Sequence, residues 1–559
     1  MSNARPGWRE YLPVWAFALV VSGLMLLPLR ARYRDAARWP GWEFTGIVSR
    51  LFEDSAWHLS WVRQARDGYW LFEQQYAGAD TAGHRFCNPF FLAVGRFAAV
   101  TGLGVVGAFH AVRTLVAALV LVAVYWFAGG FFAGRLPRWL CLILATTSGG
   151  LQWYPGLLAG AGITPPDIAL VETNTFVSLE WEVIVGPATG LLLVVLGLGR
   201  RALRGECLGT ALAAGVFLAA LAGTHPHEVV TAGGVLAGLA VVLAATAGRG
   251  ERLAVIRRSV STAAIMLAIS APLLIYHVYV LVSDPFLWHY AAHAHGYRTS
   301  QWLGQYGLIL VLAAIGALVI IVRRERHRAL LVVFPTLLAL VIATPYPRIQ
   351  RAHLHHGLHI VLCCLAVRAL WGVYRWLRAR RLRAAGAGVV AVFVLAASPT
   401  TVFHYVSELR PLPAPDKRYL RTDESAAFDY LDAAAADRDV IAGLQTVTAI
   451  IPTRTGSRVY VGEPHVTPGF HARTERMEEL MRQDPDHPMS AEVVAGRLGE
   501  IRADWLYIEN EARQMGAWRL ERTLVAHGLA ERAFSNTWTA VYRVKRNALA
   551  ATRPAGGAP

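Results

Sequence analysis

FEDSAWHLSWVRQARDGYW, residues 52–70, follows the first apolar run of the chain. It sets Glu53 and Asp54 side by side, then carries Trp57, Trp61 and Trp70. Paired carboxylates beside a bilayer are costly unless they have a task. The reading of this stretch therefore turns on whether the preceding run spans a membrane, and which side the stretch then faces. That run, roughly 11–29, has the ~20 apolar residues a span needs. It shows no small-residue cleavage site and reads as a retained signal anchor.

The rest of the chain repeats the pattern. Of 559 residues, 55% are hydrophobic and only 16% charged, with a mean hydropathy of +0.38. Such values belong to polytopic membrane proteins and exclude an ordinary soluble enzyme. About eleven segments are long enough to span: roughly 11–29, 104–134, 138–159, 183–199, 207–223, 229–247, 259–282, 302–322, 328–344, 357–374 and 384–403. With the N-terminus in the cytoplasm, the inside turns are RLPR (135–138), GRRALRGE (199–206), GRGERLAVIRRS (248–259), RRERHR (323–328) and RWLRARRLR (375–383). All are short and Arg-rich, which is where the positive-inside rule has force. Topology thereby accounts for much of the basic charge behind the net +16, and no nucleic-acid partner is expected. The expected location is the cell inner (cytoplasmic) membrane, multi-pass.

The outside segments differ. They are 30–103, 160–182, THPHEV (224–229), SDPFLWHYAAHAHGYRTSQ (283–301) and PYPRIQRAHLHHG (345–357). They collect Asp54, Asp167, Glu172, His225, His227, Glu228, His353, His355 and His356. Groups able to do chemistry thus gather on the extracytoplasmic face, and residues 52–70 lie there. The expected organisation is a membrane domain, 1–403, with its first external loop at 30–103, and an extracytoplasmic α/β domain at 404–546. In the latter, helical spacing at 423–436, 472–483 and 490–501 alternates with β-rich runs at 439–444, 457–462, 504–509 and 539–545, which argues for a partly parallel sheet. The tail 547–559 has no periodicity and is expected to be disordered. None of the five cysteines shows metal-ligand spacing, and the last ~150 residues contain none,.

As a helix over 54–68, the opening stretch puts Asp54, Trp57, His58 and Trp61 on one face. Such a helix suits the interfacial plane, with its Trp rings at headgroup depth. Asp54 at its start has two readings: an N-cap that satisfies backbone donors, and a partly desolvated general base. HLHHGLH (353–359) places His355 and His359 at i, i+4. Metal binding, phosphate or hydroxyl contacts, and interfacial packing are all open to it. In HPHE, His225 and His227 stand at i, i+2 and do not share a helix face, so a metal site is weak there, and lining a cavity is the better reading. No metal ligand is assigned. A divalent cation remains the one cofactor in view.

These motifs resemble the GT-C superfamily of polyprenyl-phosphate-dependent glycosyltransferases, nearest to the protein mannosyltransferase and aminoarabinose transferase type (glycosyltransferase family 39-like). That family has one span, then a large external loop that opens on an acidic pair, an aromatic three or four residues on, and Gly-x-Trp about fifteen on. Here these are Glu53-Asp54, Trp57 and Gly68-Tyr69-Trp70. Asn88-Pro89, the HPHE of 225–228 and Arg348-x-x-Arg351 before Gly357 extend the match. The acidic order here is Glu-Asp, so both carboxylates stand as candidates for the base, and the downstream Lys-Pro-Pro run is absent.

The resemblance implies a GT-C fold of about eleven transmembrane helices and an inverting transfer of sugar from a polyprenyl-phosphate donor. The acceptor, a lipid, glycan or protein, is left open. Asp54 or Glu53 would be the base. Arg348 and Arg351, with His355, would hold the donor phosphate, a task to which the planar Arg fork is suited. Trp57, His58, His225, His227, Glu228, Asp167 and Glu172 would line the cavity. The other function classes are a transporter or flippase of lipid-linked saccharides, and a non-catalytic cell-envelope assembly protein. The sequence shows no internal repeat of the kind transporters carry.

Overall fold

The computed structural model describes residues 7–81, 83–151, 173–181, 183–284, 299–343, 354–484 and 487–551. Each apolar segment read from the sequence contains a helix. In chain order the helices as far as residue 246 are α1 (Trp8–Leu24), α2 (Leu27–Ala36), α3 (Phe52–Arg66), α4 (Pro89–Thr101), α5 (Val105–Gly129), α6 (Arg135–Thr147), α7 (Thr175–Trp181), α8 (Val185–Leu203), α9 (Leu208–Thr224) and α10 (His227–Thr246). Then come α11 (Arg252–Ser283), α12 (Thr299–Val322), α13 (Ala329–Ala343), α14 (Leu358–Ala379), α15 (Arg383–Ala397) and α16 (Pro399–Leu409).

Among the described residues, 7 helices are long and apolar enough to cross a membrane, or 8 if α15 and α16, bent by 45°, form one span. The difference from about eleven lies in α6, α9 and α13, which have 13, 17 and 15 residues. A ~30 Å hydrocarbon core asks for more than that of a straight helix. The chain is a multi-pass membrane protein in its helix content.

Contacts divide the chain into two compact units. The first comprises Met1–Pro28, His110–Tyr279 and Ala291–Arg410; the second comprises Leu29–Phe109, Val280–Tyr290 and Pro411–Pro559. The loop after the first apolar run therefore folds with the C-terminal segment.

In the first unit an apolar core runs through α1, α5, α6, α8 to α10 and α12 to α14. Helices α12 and α14 approach so closely that a Cβ on Gly316 would lie 2.0 Å from the Leu365 carbonyl oxygen. Small residues at such crossings let helix backbones meet where lipid gives no hydrophobic drive. At the Arg-rich ends, acids take up the charge. Glu10 accepts from Tyr125 at 2.7 Å and Arg138 at 2.8 Å. Glu325 pairs with Arg368 at 2.5 Å and with Arg328. Burial pushes the Glu325 carboxyl up, but the two guanidinium groups outweigh it and hold it at about 2,.

In the second unit, β1 (Trp42–Phe44) pairs antiparallel with β2 (Tyr419–Arg421), so the first loop and the C-terminal segment share a two-stranded sheet. The larger sheet holds β3 (Val440–Ala442), β4 (Arg458–Val459), β5 (Trp505–Glu509), β6 (Ala530–Ser535) and β7 (Thr539–Val544) in the order β4-β3-β5-β7-β6. β3 runs parallel to β4 and β5, while β7 is antiparallel to β5 and β6. Helices Phe470–Met481, Ala491–Ile501 and Ala517–Ala526 supply Met477, Leu480, Val494, Leu498 and Leu520 to its core. The tail begins with a helix, Arg546–Ala551, whose Leu549 is buried in that core, which corrects the expectation of disorder from 547 on.

Candidate functional site

Helix α3 forms over FEDSAWHLSWVRQAR, with Glu53 and Asp54 in its first turn and Arg63 and Arg66 in its last. Acids at the N-terminus and bases at the C-terminus complement the helix dipole. Trp57 and Trp61 are each only 4% exposed. Trp57 lies 4.5 Å from Trp61 and 5.3 Å from His58, ring centre to ring centre, and His58 stacks on Phe91 at 4.9 Å. The rings thus pack inside the second unit instead of lying at headgroup depth, and only Trp70, 68% exposed, stays outside. The sequence reading missed this because a helix with aromatics at 3.6 spacing looks the same whether a bilayer or α4 covers it. Here α4 covers it. A Cβ on Gly95 would stand 2.3 Å from the Ala65 Cβ and 2.6 Å from the Val62 carbonyl. Asn88, buried, accepts from the backbone N–H groups of Phe90 and Phe91 and so caps α4.

The wall of rings leaves the first turn of α3 as its polar rim. Lys417, one of the chain's two lysines, donates to both oxygens of Glu53, at 2.9 and 2.7 Å. Asp54 stands apart from that pair. Its Oδ2 is 3.9 Å from His58 Nδ1, and its side chain is a third exposed. The third acid of the group is Glu463, which the sequence reading did not single out. It is 2% exposed, and its Oε2 accepts from the backbone N–H of Val466 at 2.6 Å. Burial, then the charges of Asp54 and Glu53, push its carboxyl up to about 8. Glu463 is therefore protonated at neutral pH, beside a carboxylate that is reachable from solvent. Nothing in VGEPHV marks it, because the acids whose charges act on it, Asp54 and Glu53, lie some 400 positions away in sequence. The same side of the unit is tied by Arg458 to Glu73 at 2.5 Å and by Arg63 to Asp432 at 2.6 Å.

In the first unit the histidines of HLHHGLH part company. His355 Nδ1 lies 3.0 Å from the Tyr306 hydroxyl. His359 contacts Thr175 Oγ1 at 2.9 Å and Ser148 Oγ at 3.1 Å. His356 instead meets Glu228, through Nδ1 and Oε1. Among the described residues, the i, i+4 pair His355 and His359 is not part of a shared metal-ligand set with an acid. Glu228 also meets His225, through Oε2 and Nδ1. All three of His225, Glu228 and His356 are buried. His227 is the outer neighbour, its ring 5.5 Å from that of His225. Glu180, another acid at the edge of an apolar run, is fully buried against His404 at 2.8 Å, and its backbone carbonyl accepts from Arg113. Asp167, Glu172, Arg348 and Arg351 lie outside the described residues.

Neither a protein-family model nor a curated protein sequence matches the chain. Solved structures do. An archaeal oligosaccharyltransferase, AglB from Archaeoglobus fulgidus, solved with an inhibitory peptide and a dolichol-phosphate, aligns over 97% of this chain and 75% of its own with a TM-score of 0.54 at 11% identity. ArnT from Cupriavidus metallidurans, bound to undecaprenyl phosphate, aligns over 98% of this chain and 100% of its own, with a TM-score of 0.51 at 12% identity. The arabinofuranosyltransferase AftD from Mycobacteria aligns over 97% of this chain but 40% of its own, with a TM-score of 0.59 at 14% identity. At such identities the likeness is one of fold, shared with all three.

Proposed function

We propose that the protein is an integral membrane glycosyltransferase that moves a sugar from a polyprenyl-phosphate donor to an extracytoplasmic acceptor, with inversion. Two fold neighbours were solved with a dolichol-phosphate and an undecaprenyl phosphate bound, which supports a lipid-linked donor here. The N-terminus is cytoplasmic, the helices make about eleven crossings with α6, α9 and α13 among them, and the second unit is extracytoplasmic. The Arg-rich turns support that orientation.

One observation carries the choice of base. Glu53 is held by Lys417 at 2.7 Å, whereas Asp54, in the same turn, is a third exposed and backed by His58. Asp54 is the base. It takes the proton of the acceptor hydroxyl as the new C–O bond forms at the anomeric carbon, and the bond to the phosphate oxygen breaks. The leaving polyprenyl phosphate keeps that electron pair. Its charge needs a preorganised cation, the role assigned to Arg348 and Arg351. His355, buried against Tyr306, is assigned to the donor phosphate with them. Trp57 and His58 pack beside Asp54 on α3, and Asp167, Glu172, His225, His227 and Glu228 are the further residues assigned to substrate. Membrane lipid is the medium of the donor, and the acceptor is a hydroxyl of a lipid, glycan or protein.

The test is turnover of a radiolabelled polyprenyl-phosphate sugar by the purified protein, with the anomeric configuration of product and donor compared. Transfer with inversion is expected. Movement of intact donor across a vesicle membrane without transfer would favour a flippase, and neither outcome would favour an assembly role. Arg351→Ala is expected to weaken donor binding at least about tenfold, and unaltered affinity would remove Arg351 from the site.

A further inference from the structure

We propose that His225, Glu228 and His356 form a binding site for one divalent transition cation of the Zn2+ class, at the ends of α9, α10 and α14 away from the Arg-rich turns.

Three segments build it. His225 ends α9, Glu228 lies in the first turn of α10, and His356 comes just before Gly357, which caps α14 in the left-handed conformation at φ 73°. Gly357 lets the chain reverse so that His356 points at Glu228 while His355 turns to Tyr306,. One ligand atom from each residue, a ring nitrogen from either histidine and a carboxylate oxygen from Glu228, lies within 4.8 Å of the other two. Modest side-chain rotation closes such a set round an ion with bonds of about 2.1 Å. His225, Glu228 and His356 are 8%, 0% and 1% exposed.

The chemistry favours an ion over a plain hydrogen-bonded trio. A carboxylate this deep at the edge of a membrane-spanning bundle needs a compensating charge. In the first unit the partly buried acids Glu325 and Glu10 have guanidinium partners, Arg368 and Arg328 for the one and Arg138 for the other, whereas the fully buried Glu180 and Glu228 face histidines, one for Glu180 and two for Glu228. Among the described residues, the charge-bearing groups set directly on Glu228 are two histidines, each of which offers a lone pair when neutral. Two imidazoles and one carboxylate are the donor set that borderline cations select, and three protein ligands leave a fourth position open to an oxygen ligand. The i, i+3 spacing of His225 and Glu228 was present in the sequence. Its third member was hidden among four histidines, of which only the fold selects His356.

The test reads metal binding without substrate, so its outcome is independent of the glycosyl-transfer reading. Tag-free full-length protein in detergent is stripped with a chelator, titrated with Zn2+ and analysed for bound metal. One ion per chain is expected at micromolar free Zn2+. His356→Gln and Glu228→Gln are expected to weaken it by more than about a hundredfold, beyond the loss typical of a supporting residue. Equal binding by wild type and both variants, or no ion retained by wild type, overturns the proposal. Co2+ loading of the wild type guards against misfolded variants. Intense visible bands of a four-coordinate N2O2 site are expected, and only the weak spectrum of six-coordinate Co2+ counts against the site.

Discussion

Glu53 and Asp54 are neighbours in one helical turn, yet the fold gives them different company. Lys417, half exposed, takes Glu53. An exposed ion pair of this kind contributes less than about 1 kcal/mol, so Glu53→Gln is expected to cost little stability and to leave most of the transfer rate in a turnover assay. Asp54→Asn is expected to remove it. Glu463 sets a second expectation. Its carboxyl sits at about 8 in the folded protein against an ordinary 4.5. Between those values the unfolded chain has lost the proton that the folded protein keeps, so stability falls as pH rises through this window and levels off above about 8. Glu463→Gln carries no such charge. Its melting temperature is expected to gain on wild type by several degrees from pH 5 to pH 9, and parallel curves would remove Glu463 from the acid group. The acidic pair was legible in the sequence because it sits in one short stretch. Glu463 and Lys417 were not, because they reach α3 through contacts between segments far apart in the chain.

Among the elements, two glycines set helix spacing. Gly316 fixes the approach of α12 to α14, where any Cβ meets the Leu365 backbone, and Gly95 fixes that of α4 to α3. Gly316→Ala is expected to cost roughly 1–3 kcal/mol through overpacking, seen as a lower melting temperature in detergent. Gly95→Val pushes directly on the helix that carries Asp54, so loss of activity is expected to accompany its loss of stability. Helix positions were largely readable, since apolar runs and Arg-rich turns report them directly. The face each helix presents was not. Trp57 and Trp61 read as membrane-surface anchors, but they are core residues because α4 supplies the cover that periodicity alone leaves open. The strand β6 and the helix Ala517–Ala526 went unread as well: AERAFS carries only one fully buried side chain, and the apolar stripe of AWRLERTLVA is narrow.

For the whole molecule, the fold shared with the three solved structures, the apolar helices and the gathering of acids and histidines in segments between them support the proposed transferase at a membrane surface. Orientation is the premise of that account. Single cysteines placed in the exposed 67–70 turn and in the Arg-rich 248–251 turn are expected to react from opposite sides of sealed vesicles. The measurement that tests the central claim most directly is the transfer rate of Asp54→Asn against wild type, with polyprenyl-phosphate sugar bound to comparable levels in both. Loss of a positioned general base predicts a fall of about 10²–10⁴-fold with donor binding retained. An equal rate in the two proteins would contradict the account.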